Sequence, residues 1–372
     1  MQADLLDENA LLLCEKGKYK EAIQAFEKAY SEKIKLLGID HEETIRTLAN
    51  IGNLYIHLKK FNEAFEMHDE AYREFNKYKG ENHPETLNSL GRVATVLGLQ
   101  GKYEESLETH KKVLHLKESD PSLGPSHVDT LNTVNNMGVV LRDLGNQEEA
   151  LKHYNRALEG YQLAFPSDKQ KPEHDYILGV LTNIGVILLR QKKLDEAMKY
   201  YNRIILSKES FFGPNHQLTL NIKNQWGALL SQNDYFENAL RLYLEVLEGK
   251  EKLKLEPLNV AFTTEKIARC YFELNDLKKA LVYYLGTLDT YEKNLNESNI
   301  AIYKCLTKIS LICEKLQNQS DAEQYAHRVV NFYENFIQSS DTAVKLSATL
   351  SAELSNAYSL AKTRIITKSD NP

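Results

Sequence analysis

Apolar residues along this chain recur with the spacing of paired amphipathic helices. Two such faces follow one another between residues 48 and 71, separated by the polar stretch Lys59-Lys60. The first face comprises Leu48, Ile51, Gly52 and Tyr55, and the second comprises Phe61, Ala64, His68 and Ala71. Each set follows the i, i+3 or i+4, i+7 rule of a helix with one buried side. The pattern predicts two helices joined by a tight turn, the second ending near Gly80, which we expect to be a left-handed C-cap.

The same pair of faces recurs eight times. A small residue in the second helix marks each copy, after a turn such as Gly101-Lys102-Tyr103. These small residues, which we call phase residues, are Ala22, Ala64, Ser106, Ala150, Ala197, Ala239, Ala280 and Ala322. Their successive separations are 42, 42, 44, 47, 42, 41 and 42 residues. So steady a period predicts an array of structural repeats, and other positions can be given as offsets from the phase residue.

A second small residue stands at offset −12 in every copy. The residues are Ala10, Gly52, Ala94, Gly138, Gly185, Gly227, Ala268 and Ser310. Glycine inside a helix costs about 1 kcal/mol relative to alanine, so we expect two helices to cross too closely there for a side chain. Offset −13 is large and apolar in seven copies, which places Trp226 in the core. Offset +4 is mostly aromatic, and His68 and His110 occupy that packing position.

The order large–small, then small–aromatic–small resembles the tetratricopeptide repeat (TPR). Glycine–histidine linkers make the resemblance more specific, because each precedes a Thr-Leu pair, which begins at Thr47, Thr86, Thr130 or Thr219. They are Gly38-Ile39-Asp40-His41, Gly80-Glu81-Asn82-His83-Pro84, Gly124-Pro125-Ser126-His127 and Gly213-Pro214-Asn215-His216. With a step near 42 residues, the array is similar to the repeats of kinesin light chains and nephrocystin-type proteins. The N-terminal heptad coiled coil of a full kinesin light chain is not found in this sequence.

The resemblance implies an all-α fold, a right-handed α-solenoid superhelix of about eight TPR helix pairs plus a C-terminal capping helix. The expected TPR array covers 1–338, with units near 3–38, 42–80, 86–119, 128–166, 175–213, 217–254, 259–295 and 300–338. Residues 341–364 read as the capping helix, because an end repeat must cover the apolar face of the last unit. Residues 365–372 read as a flexible tail.

Composition excludes several partners and compartments. The 372 residues carry a formal net charge of −6, which argues against nonspecific nucleic-acid binding and against a polybasic membrane anchor. The sequence shows no signal peptide and no apolar run long enough to span a membrane, so we expect no direct membrane insertion. Four cysteines without metal spacing read as buried or free thiols of a reducing compartment.

The repeat also explains the residues that could otherwise suggest an enzyme or a metal site, because they recur at the same offset from each phase residue. Histidines recur at one linker position, and we expect each to cap the helix that follows it. They are His41, His83, His127, His174 and His216. Successive repeats lie roughly 20 Å apart, given helix packing distances of about 8–10 Å, so these rings cannot converge on one ion. No nucleotide loop, nucleophile motif or metal cluster is found, so we expect no catalytic residue, no metal and no cofactor.

The resemblance points to a groove on the first helix of each pair. In peptide-binding TPR proteins this face is built from offsets −18, −15, −14, −11, −8 and −7. The positions give a peptide-binding groove of Arg46, Asn50, Asn53, Asn88, Arg92, Asn132, Asn136, Arg142, Asn183, Arg190, Asn221 and Asn224, with Asn135 in the same row. Lys266, Arg269, Lys304 and Lys308 continue the cations, and Asp143 is the one acid expected to face them in units two to six. The same residues would also serve simply to solvate an exposed face.

Asparagine can pair with a peptide backbone through its donor and its acceptor, and arginine can grip carboxylates. The leading hypothesis is therefore a non-enzymatic scaffold whose concave groove binds an extended or helical, acidic segment of a protein partner. By resemblance, its setting is cytoplasmic, in cytoskeletal, trafficking or ciliary assembly. The alternative is a permanent structural subunit of a large complex, such as an axonemal one, held through its convex face and edges.

Overall fold

The computed structural model describes residues 2–166, 174–297 and 299–338, together with the single positions 359 and 362. Over these residues the chain forms sixteen α-helices and no strand, which confirms the expected all-α class. The helices are α1 (Gln2–Glu15), α2 (Tyr19–Leu37), α3 (Glu42–His57), α4 (Phe61–Lys79), α5 (Pro84–Leu99), α6 (Tyr103–Ser119), α7 (Val128–Asp143), α8 (Gln147–Ala164), α9 (Asp175–Arg190), α10 (Leu194–Phe212), α11 (Gln217–Gln232), α12 (Phe236–Lys252), α13 (Pro257–Glu273), α14 (Leu277–Asn294), α15 (Ile300–Lys315) and α16 (Gln319–Gln338). We call the odd-numbered helices A and the even-numbered helices B.

The chain divides into two units, Met1–Tyr200 and Tyr201–Pro372, with the boundary inside α10. In the first unit each helix from α1 to α9 packs against the next in sequence, and α5–α7 and α7–α9 also touch. In the second unit the helices from α11 to α16 pack consecutively in the same way. Each unit is thus a stack of A–B pairs of the α-solenoid kind. The expected capping helix at 341–364 and the tail at 365–372 fall outside the described residues, apart from positions 359 and 362.

The linker histidines begin the A helices, as their spacing predicts. Each ring accepts a hydrogen bond at Nδ1 from the backbone N–H two residues later, over 3.1 to 3.3 Å. The caps are His41 on α3, His83 on α5, His127 on α7, His174 on α9 and His216 on α11. A cap of this kind satisfies one of the N–H groups that a helix start leaves without a partner.

The A and B helices of a pair meet where a glycine faces a ring. A Cβ built on Gly138 would lie 2.6 Å from Tyr154 Cε1, and one on Gly227 would lie 2.8 Å from Tyr243 Cε1. Tyr154 is fully buried. The small residue at offset −12 and the ring at offset +4 therefore form the contact that the sequence pattern predicts.

Tryptophan packs in the same way in the second unit. Trp226 is 1% exposed, as its offset predicts, and its ring stacks on Tyr201 at a centroid separation of 3.3 Å. The pair fills the interior between α10 and α11, so the single tryptophan serves as a core residue.

The turn from helix A to helix B takes one conformation in every pair. At offset −5 the backbone φ lies between 59° and 85°. The residues are Gly17, Lys59, Gly101, Gly145, Lys192, Asp234, Asn275 and Gln317. Five of the eight are not glycine, although a left-handed residue other than glycine costs about 1 kcal/mol. The turn geometry is therefore imposed by the packing of the two helices it joins.

Gly80 differs from its expected left-handed cap. Its φ of 86° is positive, but its ψ of 164° places it in an extended region that is open essentially to glycine alone. Gly38 has the same geometry after α2, with φ 95° and ψ 161°. The chain therefore leaves both B helices through a glycine in an extended, positive-φ conformation.

No described helix is both long enough and apolar enough to cross a bilayer.

The first prediction tests the A–B contact. Gly138→Ala should lower the free energy of unfolding by about 1–3 kcal/mol, because its Cβ would overlap the buried Tyr154 ring. Gly179→Ala is the matched control: it is exposed on α9 with no heavy atom within 4 Å of an added Cβ. It should raise stability by up to about 1 kcal/mol through helix propensity. Urea unfolding followed by circular dichroism measures both, and equal effects of the two variants would contradict the contact.

The second prediction concerns pH. His68 and His110 are 0% and 1% exposed, and neither ring nitrogen has a hydrogen-bond partner in the described structure. Burial lowers the pKa of each to about 4, assisted by the positive charge of Arg92 near His68 and of Lys117 near His110. As the pH falls, these two histidines therefore bind protons in the unfolded chain near pH 6.5, before they do so in the folded chain near pH 4. Stability is fully present above pH 6.5 and falls as the pH drops towards 4, by roughly 3 kcal/mol for each histidine.

His68→Phe provides the measurement, because phenylalanine already fills this offset as Phe26. Urea unfolding of both proteins between pH 7 and pH 4 should show a smaller loss in the variant. Parallel curves would mean that His68 is not held neutral in the core.

Candidate functional site

A polar cavity of about 540 Å³ lies along the A helices of the first unit. Its lining includes the predicted residues Arg46, Asn50, Asn88, Arg92, Asn132 and Asn136, which come from α3, α5 and α7. B helices contribute Phe75, His110 and Lys117 to the same cavity. The offsets read from the sequence thus bring six of the predicted groove residues together at one place.

The remaining predicted residues lie elsewhere. The lining of this cavity does not include Asn53, Arg142, Asn183 or Arg190, and Asn221 and Asn224 belong to the second unit. Arg190 is exposed at the end of α9, and Asn53 is half-buried on α3. Asn221 Oδ1 accepts a hydrogen bond from Gln217 over 2.9 Å, and Asn224 Oδ1 accepts one from Lys266 over 2.8 Å.

Arg142 is already engaged within the first unit. Its guanidinium donates two hydrogen bonds to Asp143, over 2.9 and 3.2 Å, and a third to Asn183 Oδ1 over 3.5 Å. Asn183 in turn donates to Asn135 Oδ1 over 3.2 Å. Asp143 therefore balances the charge of Arg142. The hydrogen bond from Arg142 to Asn183 links α7 to α9.

More acid faces the cavity than the sequence predicted. Asp143, the one acid expected to face the cations, is not part of this lining, whereas Glu85 and Asp129 are. Glu85 pairs with Arg46 over 2.8 Å, and Glu42 pairs with Arg46 over 2.6 Å. The expectation of a single acid is wrong because it omitted offset −21, in the first helical turn, from which Glu85 and Asp129 reach the groove.

Arg92 is the cation of the cavity that keeps its charge available. It forms no ion pair with any described residue, and its side chain is exposed. The surrounding walls still lower the pKa of its guanidinium by desolvation, while Glu85 acts in the opposite direction. An unpaired guanidinium in a partly desolvated recess attracts an anion more strongly than one on an open surface.

Lys117 is a site residue that the sequence analysis missed. It is 3% exposed, and its Nζ donates to Asn88 Oδ1 over 2.7 Å, to the Asp129 carbonyl over 3.0 Å and to Thr133 Oγ1 over 3.3 Å. Burial lowers the pKa of this ammonium to about 8, although Asp129 acts in the opposite direction. Lys117 therefore connects α6 to both α5 and α7 below the cavity.

The contacts of Lys117 and Tyr161 set the orientation of two groove amides. An ammonium can only donate, so the atom of Asn88 that faces Lys117 must be its oxygen. The Nδ2 of Asn88 then donates one hydrogen bond to Asp129 Oδ2, over 3.4 Å, and keeps its second N–H for the cavity. Tyr161 does the same for Asn132, its hydroxyl donating to Oδ1 over 2.5 Å. Both amides thus have their acceptor occupied and keep N–H donors for the groove.

A periodic signal could have revealed these residues. In six of the eight B helices, offset +11 holds a buried lysine or tyrosine: Lys33, Lys117, Tyr161, Lys208, Lys250 and Tyr291. Three of the lysines bind a threonine at offset −17 of the next pair. Lys33 donates to Thr47 over 3.1 Å, and Lys250 donates to Thr263 over 2.9 Å. A lysine recurring in phase on a core-facing row indicates a buried polar link.

The described residues offer little for covalent or metal chemistry. They contain no cluster of three or more His, Cys, Asp or Glu side chains that could hold a metal ion. Cys270 and Cys305 are buried thiols whose pKa is raised by burial, that of Cys270 to about 11. A thiol with a raised pKa is a poor nucleophile because little thiolate forms. What the cavity does offer is directed hydrogen bonding and positive charge.

Comparisons with known proteins agree with this architecture. The family model of the tetratricopeptide repeat matches residues 2–73, 49–119, 120–162 and 176–252. A solved structure of a Rap protein complexed with competence and sporulation factor is 16% identical, with a TM-score of 0.52 over 77% of this chain and 74% of that one. This likeness shows the fold. No curated protein gives a significant sequence match.

Two further solved structures are more distant. BtubC (BKLC) from P. vanneervenii is 13% identical over 63% of this chain and 91% of that one, with a TM-score of 0.49. The nearly identical TPR-like repeats of a Podosopora anserina protein of kinesin light chain type are 16% identical, over 56% and 95%, with a TM-score of 0.43. The family model covers more than half of the chain and confirms the expected repeat. This chain belongs to the tetratricopeptide repeat family.

Proposed function

We propose that the first unit is a non-catalytic scaffold that binds an extended, acidic segment of a partner protein in the cavity along α3, α5 and α7. TPR arrays are generally protein-interaction scaffolds without catalysis, which supports the general assignment. The observation that carries the finer proposal is the orientation of Asn88 and Asn132. Both present N–H donors because Lys117 and Tyr161 occupy their oxygens.

Donors of this kind match the carbonyl oxygens of an extended chain. A peptide with its backbone unpaired carries one C=O acceptor per residue, so a row of amide N–H groups can hold it without reading its side chains. Asn50 and Asn136 line the same cavity and extend that row. The amides therefore account for affinity towards a main chain rather than towards one particular sequence.

Arg92 supplies the preference for acid. Glu42 and Glu85 occupy Arg46, and the Lys117 ammonium is buried and donates to Asn88 and Thr133, so Arg92 is the exposed cavity cation left to meet a carboxylate. The carboxylates of Glu85 and Asp129 in the lining repel other acids, so an acidic side chain of the segment has to lie close to Arg92. We expect the acidic side chain to lie beside α5, with the flanking backbone running towards Asn132.

A polar cavity of this kind favours binding of a segment over the alternative of a permanent subunit held through the outer face. The kinesin-light-chain resemblance suggests a cytoplasmic setting, in cytoskeletal, trafficking or ciliary assembly, and we retain it as part of the proposal.

The third prediction tests Arg92. A short labelled peptide of alternating glutamate and serine should bind the wild-type chain, and Arg92→Glu should weaken it by about tenfold, since the substitution replaces attraction by repulsion. Fluorescence anisotropy gives the dissociation constant, and circular dichroism checks that melting is unchanged.

Arg73→Glu is the control for the third prediction, because Arg73 is exposed on the B helix α4, where it pairs with Asp69, and does not line the cavity. It should leave binding of the glutamate peptide within twofold or so of wild type. A peptide with lysine in place of glutamate should bind more weakly than the glutamate peptide. An Arg92→Glu protein that binds as well as the Arg73→Glu protein would overturn the placement of the acidic side chain.

The fourth prediction tests amide orientation. Tyr161→Phe removes the hydroxyl that holds Asn132, so it should weaken the glutamate–serine peptide by roughly three- to tenfold, the worth of one hydrogen bond. The side-chain amide resonances of Asn132 should shift in the NMR spectrum of the free protein. A purely structural tyrosine would lower stability without changing affinity.

Tyr291→Phe is the matched control for the fourth prediction. Tyr291 has the same offset and donates to Glu265 over 2.6 Å, but it lies in the second unit. We expect it to lower stability by a similar amount and to leave the affinity for the peptide unchanged. Equal losses of affinity in both variants would show that the effect is global.

A further inference from the structure

A small recess continues the cavity of the first unit along α5 and α7. The recess has a volume of about 80 Å³ and shares three lining residues with the cavity, which are Thr95, His110 and Asn136. On α5 the cavity extends from Glu85 to Thr95, and the recess continues to Leu99, which is about one helical turn further. The recess is therefore a continuation of the proposed binding site rather than a separate pocket.

The walls of the recess are mainly apolar. Gly98 and Leu99 contribute from α5, Val139 and Val140 from α7, and Tyr103 from α6. A volume of about 80 Å³ has room for roughly three water-sized groups, at ~30 Å³ for each in liquid water. That space suits a side chain the size of threonine or valine and is too small for an aromatic ring.

The ring of His110 borders both the cavity and the recess and lacks a hydrogen-bond partner among the described residues. It is 1% exposed, and neither Nδ1 nor Nε2 is paired. Burial, assisted by the positive charge of Lys117, lowers its pKa to about 4, so the ring is neutral at pH 7. A neutral imidazole offers one N–H donor and one lone-pair acceptor. Since buried polar groups are normally paired, a ligand group that reaches this ring would gain affinity from it.

His68 shows that the offset alone does not create such a site. It occupies the same offset and is as fully buried, but it lines neither the cavity nor the recess. Its ring packs against Gly52, where a built Cβ would lie 2.8 Å from Nε2. Ala94 stands at the position of this glycine opposite His110, and its methyl group prevents so close an approach. Of these two histidines, His110 is therefore the one with space beside it.

A hydroxyl is the ligand group that suits this ring best. It both donates and accepts, so it can pair with either tautomer of a neutral imidazole. An ammonium can only donate, and a carboxylate can only accept and would meet Asp143 in the wall of the recess. Among the hydroxyl side chains, threonine adds a methyl group for the apolar wall, and tyrosine exceeds the volume.

We propose that the recess takes a threonine side chain of the bound segment, with its hydroxyl paired to His110 and its methyl group against Val139 and Val140. This inference rests on the proposed function, because the segment must first lie in the cavity. It adds a second recognition element to the carboxylate at Arg92, and this element reads a side chain that carries no charge.

The helix spacing fixes where the threonine stands in the segment. Thr95 and Leu99, which line the recess on α5, come three and seven residues after Arg92. At a rise of about 1.5 Å per residue, the recess lies ~5–10 Å along the helix from Arg92. An extended chain covers about 3.3 Å per residue. The threonine should therefore stand two residues from the acidic residue.

The experiment uses the whole chain and labelled peptides with one glutamate among glycines and alanines. The residue two positions from the glutamate is threonine, valine or serine, placed before the glutamate in one set and after it in another. In one set, fluorescence anisotropy should show the threonine peptide binding about tenfold more tightly than the valine peptide, which has the same shape without the hydroxyl. The serine peptide should bind about fourfold more weakly than the threonine peptide, the worth of one methyl group.

The outcomes separate the recess from the groove. Equal binding of the threonine and valine peptides in both sets would show that His110 meets only water, and would overturn the recess while leaving the acidic groove in place. Binding by none of these peptides, nor by the glutamate–serine peptide, would overturn the groove and the recess together.

His110→Phe tests the hydroxyl contact, because phenylalanine already fills this offset as Phe26. The variant should bind the threonine and valine peptides about equally, so the tenfold or so preference of the wild type disappears. His68→Phe makes the same change at the same offset away from both linings and should keep the preference. A preference that survives in His110→Phe, or that is lost equally in both variants, would overturn the assignment.

A second measurement needs no variant. Nitrogen NMR of the wild-type chain should show the ring nitrogens of His110 shifting with the threonine peptide and not with the valine peptide. Ring nitrogens that stay unshifted with bound threonine peptide would overturn the contact, even if His110→Phe fails to fold.

Discussion

The close contact between a small residue on helix A and a ring on helix B is the constraint on which the rest of each pair depends. At Gly138 the Tyr154 ring lies where a side chain would otherwise begin. That contact fixes how the two helices are rotated about their axes. Once the rotation is fixed, the opposite face of helix A must carry the same offsets in every pair. The face that we propose for recognition is thus a consequence of core packing.

Buried hydrogen-bonding groups give this packing a second role. Lys117 joins α6 to the helices on either side of it, which stabilises the stack, and the same ammonium fixes the direction of Asn88. Tyr161 fixes Asn132 with a neutral hydroxyl. Since a buried donor left without a partner costs about 1–3 kcal/mol, the core itself holds the amides in place. Under the proposed function, affinity at the groove would therefore depend on residues that no ligand touches.

Much of this architecture could be read from the sequence, because it is periodic. Helix pairing, the histidine caps and the positions of Asn88 and Asn132 all follow from counting back from a phase residue. Lys117 was missed because a lysine on a helix is normally assigned to solvent, although the recurrence of lysine at offset +11 is a signal that points to it. Glu85 was missed for a related reason: acids are expected in the first turn of any helix, and nothing in its type indicates that it reaches the groove. The partners of Arg142 likewise depend on side-chain directions, which periodicity does not encode.

The left-handed turn between the helices of a pair has a consequence for how such a chain can change. Lysine at 59 and 192 adopts a backbone conformation that glycine would take without penalty. These positions lie at the tip of a hairpin and line neither the cavity nor the recess. Substitution of glycine at any one of these turns would therefore raise the stability of the array independently of the other turns. Within a single repeat, stability can then change through the turn while the choice of partner changes through the A helix.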